Sequence, residues 1–77
     1  YCRALALHLR PFHERHAPIY TPVNEPSFLS WAACETGLMH PHRGDRLHEG
    51  YALKRRLVRA ALAGMQAIRD VQPDARF

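Results

Sequence analysis

The chain has 77 residues, of which 47% are hydrophobic, so it suits one small domain near the lower size limit for an independent core. No run approaches the roughly 18 apolar residues of a membrane span, so no transmembrane segment is expected. The net charge of +4 admits an acidic partner such as nucleic acid. Two cysteines, Cys2 and Cys34, are too few for a disulfide framework and predict free thiols in a reducing, cytoplasmic compartment.

The N-terminal part predicts a helix followed by a short strand. Residues 1–10 carry alanine and leucine at helical spacing, and Pro11 breaks the pattern. A polar, histidine-rich connector follows at 12–18. Ile19–Val23 is β-branched and aromatic, which predicts a strand. Pro22 belongs near its C-terminal end, because proline donates no hydrogen bond to a β-ladder.

The middle of the chain predicts mainly loop structure. Ser27–Cys34 is apolar and predicts either a short helix or an irregular packed loop. Thr36–Arg46 contains two glycines and a proline and predicts a loop. Asp45 near its end is positioned to cap the next helix, by accepting hydrogen bonds from amides of the first helical turn.

A long amphipathic helix is predicted at Leu47–Val71, and Pro73 ends it. One apolar stripe at 100° per residue consists of Leu47, Tyr51, Val58, Leu62 and Met65, widened on one side by Leu57, Ala61 and Ile68. The opposite face carries Arg55, Arg56, Arg59, Gln66 and Asp70.

The order of elements indicates an α/β fold that continues outside these residues. A helix end, a strand, a loop and a long helix are followed by Ala75–Phe77, which predicts the start of another strand. Strands that alternate with helices favour a parallel sheet. One strand cannot form a sheet, so we expect residues 1–77 to be a single incomplete domain of a longer protein.

The segment Thr21-Pro22-Val23-Asn24-Glu25-Pro26 resembles the fourth-strand motif of the clan A glycoside hydrolases, most closely the family-one β-glucosidase group. That group has a threonine, two residues, and then Asn-Glu-Pro. A glycine follows the motif in that family after ten intervening residues, and Gly37 lies at this spacing after Pro26. The helical stretch at 60–69 is similar to the family's fourth barrel helix.

The resemblance implies a segment of a (β/α)8 TIM barrel. In this arrangement the chain contains the end of helix 3, strand 4, the long helix 4 and the start of strand 5. Functional side chains of such barrels lie at the C-terminal ends of the strands, where Glu25 would stand. A complete barrel needs about 250 residues, so the remainder of the barrel would be required.

The resemblance also implies the chemistry of a retaining β-glycosidase. Such enzymes hydrolyse O-glycosyl bonds with two carboxyl groups about 5–5.5 Å apart, one a nucleophile and the other an acid/base. Glu25 matches the acid/base, and Asn24 matches the residue that hydrogen-bonds the sugar 2-hydroxyl. Trp31 is a weaker candidate for stacking on a sugar ring, since packing in the core is the alternative interpretation and the favoured one. The nucleophile would come from a later strand, so the chain alone is expected to be inactive; no cofactor is expected.

The alternative interpretation is a small basic helical module that binds nucleic acid or another acidic partner. Lys54, Arg55, Arg56 and Arg59 form a basic stripe on the long helix. However, Asp70 shares the polar face, and no aromatic side chain interleaves with the arginines for base stacking. A solvated outer helix face explains the stripe, so nucleic acid is not the expected partner.

The six histidines do not predict a metal site. His13 and His16 are three residues apart, whereas the zinc-protease helix motif needs histidines four apart. His40, His42 and His48 lack cysteine or carboxylate partners at suitable spacing. We therefore interpret the loop histidines, His40 and His42 among them, as exposed side chains.

Overall fold

The computed structural model describes all residues from 1 to 77 and is 58% helical, without a strand or sheet. It contains three α-helices: α1 (Cys2–Leu9), α2 (Pro26–Ser30) and α3 (Leu47–Arg69). A 3₁₀ helix (Arg10–His13) extends α1, and a π-helix (Trp31–Glu35) extends α2. None of the helices combines the length and the apolar character that a membrane crossing requires.

The predicted α/β fold, a segment of a (β/α)8 TIM barrel, is wrong: the structure is a small helical domain. The two predicted strands form only an isolated parallel bridge between Ile19 and Arg76. The Tyr20 amide donates to the Arg76 carbonyl, and the Arg76 amide donates to the Pro18 carbonyl, both at 2.9 Å. In a parallel ladder every second residue donates. The next donors on either side of Tyr20 are Pro18 and Pro22, which have no amide hydrogen, so the ladder cannot extend.

The chain divides into two compact units. The first unit consists of Tyr1–Pro22 and Ala60–Phe77, and the second consists of Val23–Arg59. Helix α3 contributes residues to both.

The first unit has a small apolar core. Its buried side chains are Ala6, Ile68, Val71 and Ala75, with Cys2 and Tyr20 packed against them. Gly64 of α3 is buried in this unit, and a β-carbon at this position would lie 3.0 Å from Cys2 Sγ and 3.2 Å from Pro22 Cβ. The absence of a side chain at Gly64 therefore allows α3 to approach the N-terminal segment closely.

The second unit is organised around the π-helix. Ala32, Ala33 and Cys34 are buried, and their carbonyls accept hydrogen bonds from loop amides at 2.8–3.0 Å. The amide of Met39 donates to the carbonyl of Ala32, that of Arg43 to Ala33, and that of Arg46 to Cys34. The amide of Asp45 donates to the carbonyl of Glu35. The loop thus satisfies the carbonyls that a helix end leaves unpaired. The His40–Pro41 peptide bond in this loop is cis.

Helix α3 buries the side of its predicted apolar stripe that carries Leu57, Ala61 and Ile68, and leaves the centre of the stripe largely exposed. The buried or half-buried residues are Glu49, Gly50, Leu53, Leu57, Ala61, Gly64, Met65, Ala67 and Ile68. At 100° per residue this face lies roughly a quarter turn from the centre of the predicted stripe. Four of the five residues at the centre of the stripe are exposed, Leu47, Tyr51, Val58 and Leu62 at 65%, 64%, 43% and 60%, and the fifth, Met65, is half-buried.

The bounds of α3 agree with the prediction at its start and differ by two residues at its end, which lies at Arg69. Asp45 does not cap this helix. The carbonyl of Arg46 accepts the first helical hydrogen bond, from Gly50 at 2.8 Å, so Arg46 is the N-cap residue. Asp45 precedes it with a φ of 50°, outside the extended conformation that capping residues adopt.

Candidate functional site

Glu25 occupies the turn that begins α2. It is the N-cap residue, with φ 43° and ψ 60°, and its carbonyl accepts the Leu29 amide at 3.0 Å. Its carboxylate makes no capping hydrogen bond, and the residue is exposed. The carboxylate is therefore not used by the helix and can act on a group outside the chain.

The backbone of Glu25 is in the left-handed region, which costs a residue with a β-carbon roughly 1–2 kcal/mol. Two other non-glycine residues share a positive φ, His42 and Asp45. Histidine and aspartate are types that adopt this region more readily than most, whereas glutamate is not. Strain of this kind clusters at functional sites, so it supports a functional hypothesis for Glu25.

Asn24 directly precedes Glu25 and is exposed in the same bend. Pro26, at the first position of α2, needs no amide partner there, and its fixed φ suits the start of a helix. The Asn-Glu-Pro sequence thus places two adjacent polar side chains in solvent immediately before a helix.

Two aromatic side chains follow on the next turns. The Phe28 and Trp31 ring centroids are 5.7 Å apart with an interplanar angle of 42°, within the range of favourable aromatic pairs. The two residues are 45% and 44% exposed. Glu25 precedes Phe28 by three residues, about one helical turn. The predicted sugar-stacking residue Trp31 therefore belongs to a solvent-accessible aromatic pair.

An open surface cavity of about 450 Å³ lies beside Trp31, its other lining residues are Glu35, Thr36, Asp45 and Leu47, and neither Glu25 nor Asn24 lines it. This volume falls within the range of small-molecule sites. Its walls combine an aromatic ring, a hydroxyl and two carboxylate side chains, which are the groups that contact sugar hydroxyls. The second unit thus contains a polar cavity with one aromatic wall.

The sequence predictions missed Glu35 and Asp45 as cavity residues. Glu35 follows Trp31 by four residues, which places both side chains on one side of a helical turn. This spacing was a usable signal. Asp45 gave no comparable signal, because it reaches the cavity through the hydrogen bond from its amide to the Glu35 carbonyl at 2.8 Å.

An ion pair fastens the loop to α3. The Arg43 guanidinium donates two hydrogen bonds to the Glu49 carboxylate, both at 2.9 Å. This pairing lowers the pKa of Glu49 and raises that of Arg43, in each case chiefly through the hydrogen bonds. Arg46 approaches the same carboxylate at 3.9 Å.

The histidine and cysteine side chains do not form a metal site. His40 and His42 have ring centroids 6.1 Å apart, and His42 Nδ1 lies 2.9 Å from the Gly37 carbonyl. No group of three or more His, Cys, Asp or Glu side chains could hold a metal ion. Cys2 and Cys34 are free thiols.

The basic stripe lies along an exposed groove on α3. This groove has a volume of about 290 Å³ and is lined by Tyr51, Lys54, Arg55, Val58 and Arg59. Arg56 lies outside it and lines two neighbouring cavities. The cations therefore alternate with exposed apolar side chains, an arrangement that the sequence analysis had interpreted as a solvated polar face.

Comparison of the chain with protein-family models, with curated proteins and with solved structures finds no match. The assignment of function therefore depends on the residues and geometry of the chain itself.

Proposed function

We propose that the chain supplies the general acid/base glutamate of a retaining glycoside hydrolase that acts on β-glycosides. The observation that carries this proposal is the placement of Glu25. Its carboxylate is exposed, unused by the adjoining helix and held in a left-handed turn next to Asn24. The likeness of Thr21–Pro26 to the glycosidase motif supports the same role.

The proposed reaction begins with protonation of the glycosidic oxygen by the Glu25 carboxyl group. The aglycone leaves as a second carboxylate attacks the anomeric carbon, which forms a covalent glycosyl-enzyme intermediate. The Glu25 carboxylate then takes a proton from a water molecule as the water oxygen attacks the anomeric carbon, which breaks the bond to the second carboxylate and releases the sugar. The second carboxylate must lie about 5–5.5 Å from Glu25, and we propose that a longer protein provides it.

Asn24 would hydrogen-bond the sugar 2-hydroxyl through its side-chain amide. Hydrogen bonds to this hydroxyl strengthen as the transition state develops positive charge at the sugar ring. The exposed Phe28–Trp31 pair would stack on an apolar sugar face. This chemistry uses only carboxyl groups and water, so the proposal needs no cofactor.

The test is Glu25→Gln in the full-length protein, assayed with a β-glycoside that has a poor leaving group and with an activated aryl β-glycoside. We expect kcat/KM to fall by roughly 10² to 10⁴ for the poor leaving group, because its departure depends on proton donation. The activated substrate should still form the glycosyl-enzyme. Azide should then raise kcat and yield a β-glycosyl azide, since an anionic nucleophile needs no general base.

The matched control is Glu14→Gln, which removes an exposed carboxylate outside the motif. It should leave both rates and the azide response unchanged. If Glu25→Gln hydrolyses both substrates at the wild-type rate, and azide neither accelerates the reaction nor gives glycosyl azide, the proposal is wrong.

A further inference from the structure

The exposed apolar stripe of α3 is an unusual surface for a helix whose other side is buried. Within the second unit, Leu47 and Tyr51 are 65% and 64% exposed, and Val58 is 43% exposed. They fall within about 40° of one another at 100° per residue. The buried face of the same segment consists of Gly50, Leu53 and Leu57. The stripe is therefore a second apolar face of α3 that stays largely exposed.

Cations border this stripe on both sides. On the helical wheel Lys54 lies along one edge, and Arg55 and Arg59 lie along the other. All three line the 290 Å³ groove with Tyr51 and Val58, and no carboxylate lines it. The nearest acidic residue of the helix, Glu49, is directed elsewhere and is paired with Arg43. The groove itself is thus apolar along its centre and positive along both edges, and the Glu35 carboxylate lines the adjoining cavity next to Lys54.

We propose that this groove docks an amphipathic helix whose apolar residues are flanked by glutamate or aspartate. Apolar side chains spaced three and four apart on the partner would pack against Tyr51 and Val58 of the groove and against the neighbouring Leu47, as in the packing of two amphipathic helices. Its acidic flanks would pair with the three cations. This inference does not depend on the glycosidase proposal.

Charge complementarity selects this occupant over three others. A second copy of the chain would bring its own Lys54, Arg55 and Arg59 against the same cations, and like-charge juxtaposition opposes such a dimer. Nucleic acid would satisfy the cations but would leave the apolar centre without a partner, since phosphates contribute only the electrostatic part. An anionic membrane surface requires a helix that can sink its apolar face into lipid. Here the adjacent face of α3 is packed against the protein.

The test uses a fluorescently labelled helical peptide of about 18 residues, with leucines spaced three and four apart and flanked by glutamates. Its matched control has lysine in place of every glutamate and the same leucines. Fluorescence anisotropy with the 77-residue chain should show saturable binding of the glutamate peptide and none of the lysine peptide. Raising NaCl from about 0.05 M to about 0.3 M should weaken the binding without abolishing it.

Two variants locate the site. Tyr51→Ala removes apolar contact area, and the double variant Arg55→Glu/Arg59→Glu reverses the charge of one edge. Each should weaken binding by about tenfold or more, the loss typical of residues at the centre of an interface. The matched control Arg56→Glu changes the same residue type on the same helix outside the groove, and it should shift the Kd less than about threefold.

Four outcomes would overturn the proposal. The first is equal binding of the two peptides. The second is an equal change in Kd for Arg56→Glu and for Arg55→Glu/Arg59→Glu. The third is self-association of the chain that Tyr51→Ala abolishes. The fourth is tighter binding of duplex DNA, or of anionic phosphatidylserine vesicles, that depends on the arginines and is unaffected by Tyr51→Ala. All of the substituted side chains are exposed, and circular dichroism of each variant verifies that α3 is retained.

Discussion

The hydroxyl of Tyr20 donates a 2.7 Å hydrogen bond to Oε1 of Gln72, joining residues 52 positions apart. Gln72 is only 6% exposed, and Tyr20 packs against the core of the first unit. This bond and the Ile19–Arg76 bridge hold the segment before the Asn-Glu-Pro motif against the segment after α3.

Tyr20→Phe should lower the free energy of unfolding by about 1–2 kcal/mol, because Gln72 Oε1 would stay buried without its donor. Urea unfolding monitored by circular dichroism measures this loss. Tyr1→Phe is the control: Tyr1 is 97% exposed, and its change should stay within about 0.5 kcal/mol.

Tyr20 should also make the stability of the fold depend on pH. Burial raises the pKa of Tyr20 above its ordinary value of 10.0, so the folded state disfavours the phenolate. The folded chain then binds more protons than the unfolded chain, and stability should fall as pH rises above 10.0. Tyr20→Phe should lessen this fall; an unchanged alkaline profile would contradict the contribution of Tyr20.

Glu49→Gln should remove an acid-dependent part of the stability. Pairing with Arg43 lowers the pKa of Glu49 below its ordinary value of 4.5. A carboxylate with a lowered pKa in the folded state stabilises it above the unfolded-state pKa, and this stabilisation disappears as pH falls through the folded-state pKa. The wild-type melting temperature should therefore drop more steeply below pH 4.5 than that of Glu49→Gln.

The control for this comparison is Glu14→Gln, because Glu14 forms no ion pair. Its acid profile should follow that of the wild type. Parallel profiles for Glu49→Gln and the wild type would show that the ion pair contributes nothing measurable, as many exposed pairs do.

Gly64→Ala and Gly50→Ala should have opposite effects on stability. A β-carbon at Gly64 would meet Cys2 Sγ at 3.0 Å and the rigid Pro22 ring at 3.2 Å, so we expect a loss of about 1 kcal/mol or more. At Gly50 the nearest atom is Cys34 Cβ at 3.4 Å, an ordinary contact. Helix propensity should then raise the free energy of unfolding by about 0.5–1 kcal/mol.

Urea unfolding of both variants provides the measurement. When Cys2 is alanine, Gly64→Ala should lower the free energy of unfolding by less than it does in the wild type, because Cys2 Sγ, one of the two close atoms, is then absent. If Gly64→Ala is as stabilising as Gly50→Ala, the close approach at Gly64 is not a constraint on the fold.

Glu25→Gly should stabilise the chain by up to about 1 kcal/mol, because glycine adopts the φ of 43° without the crowding of a β-carbon. Glu25→Ala removes the carboxylate but keeps the β-carbon, so its stability should stay near the wild-type value. Thermal unfolding of the three proteins separates the two effects. A Glu25→Gly variant less stable than Glu25→Ala would argue against strain at this turn.

The sequence pattern predicts the helices of this chain better than their packing. The apolar period of the sequence predicts where α3 begins and, within two residues, where it ends. Pro11 similarly marks the end of α1. The predicted strand at Ile19–Val23 does not form, because strand propensity stabilises a segment only when it pairs with another strand, and the prolines prevent that pairing.

The buried face of α3 was predicted only in part, for a different reason. Gly50 and Gly64 are buried because they let the backbone approach its neighbours, yet glycine adds nothing to an apolar stripe. Of the candidate site, Glu25 and Asn24 are predicted from the motif, and Trp31 only from its aromatic ring. The cavity residue Asp45 could not be predicted, because it meets Glu35 through a loop hydrogen bond, whereas the four-residue spacing of Trp31 and Glu35 was a sequence signal.

The hydrogen bond between Tyr20 and Gln72 also bears on the order in which the chain folds. Closing a loop of 52 residues costs about 3.5 kcal/mol of chain entropy before any of its contacts forms. Helix α3 requires only contacts between residues a turn apart, which form within about a microsecond. We therefore expect α3 to be present in the folding transition state and the N-terminal segment to join it afterwards. Substitutions at Tyr20 would then act mainly on the unfolding rate.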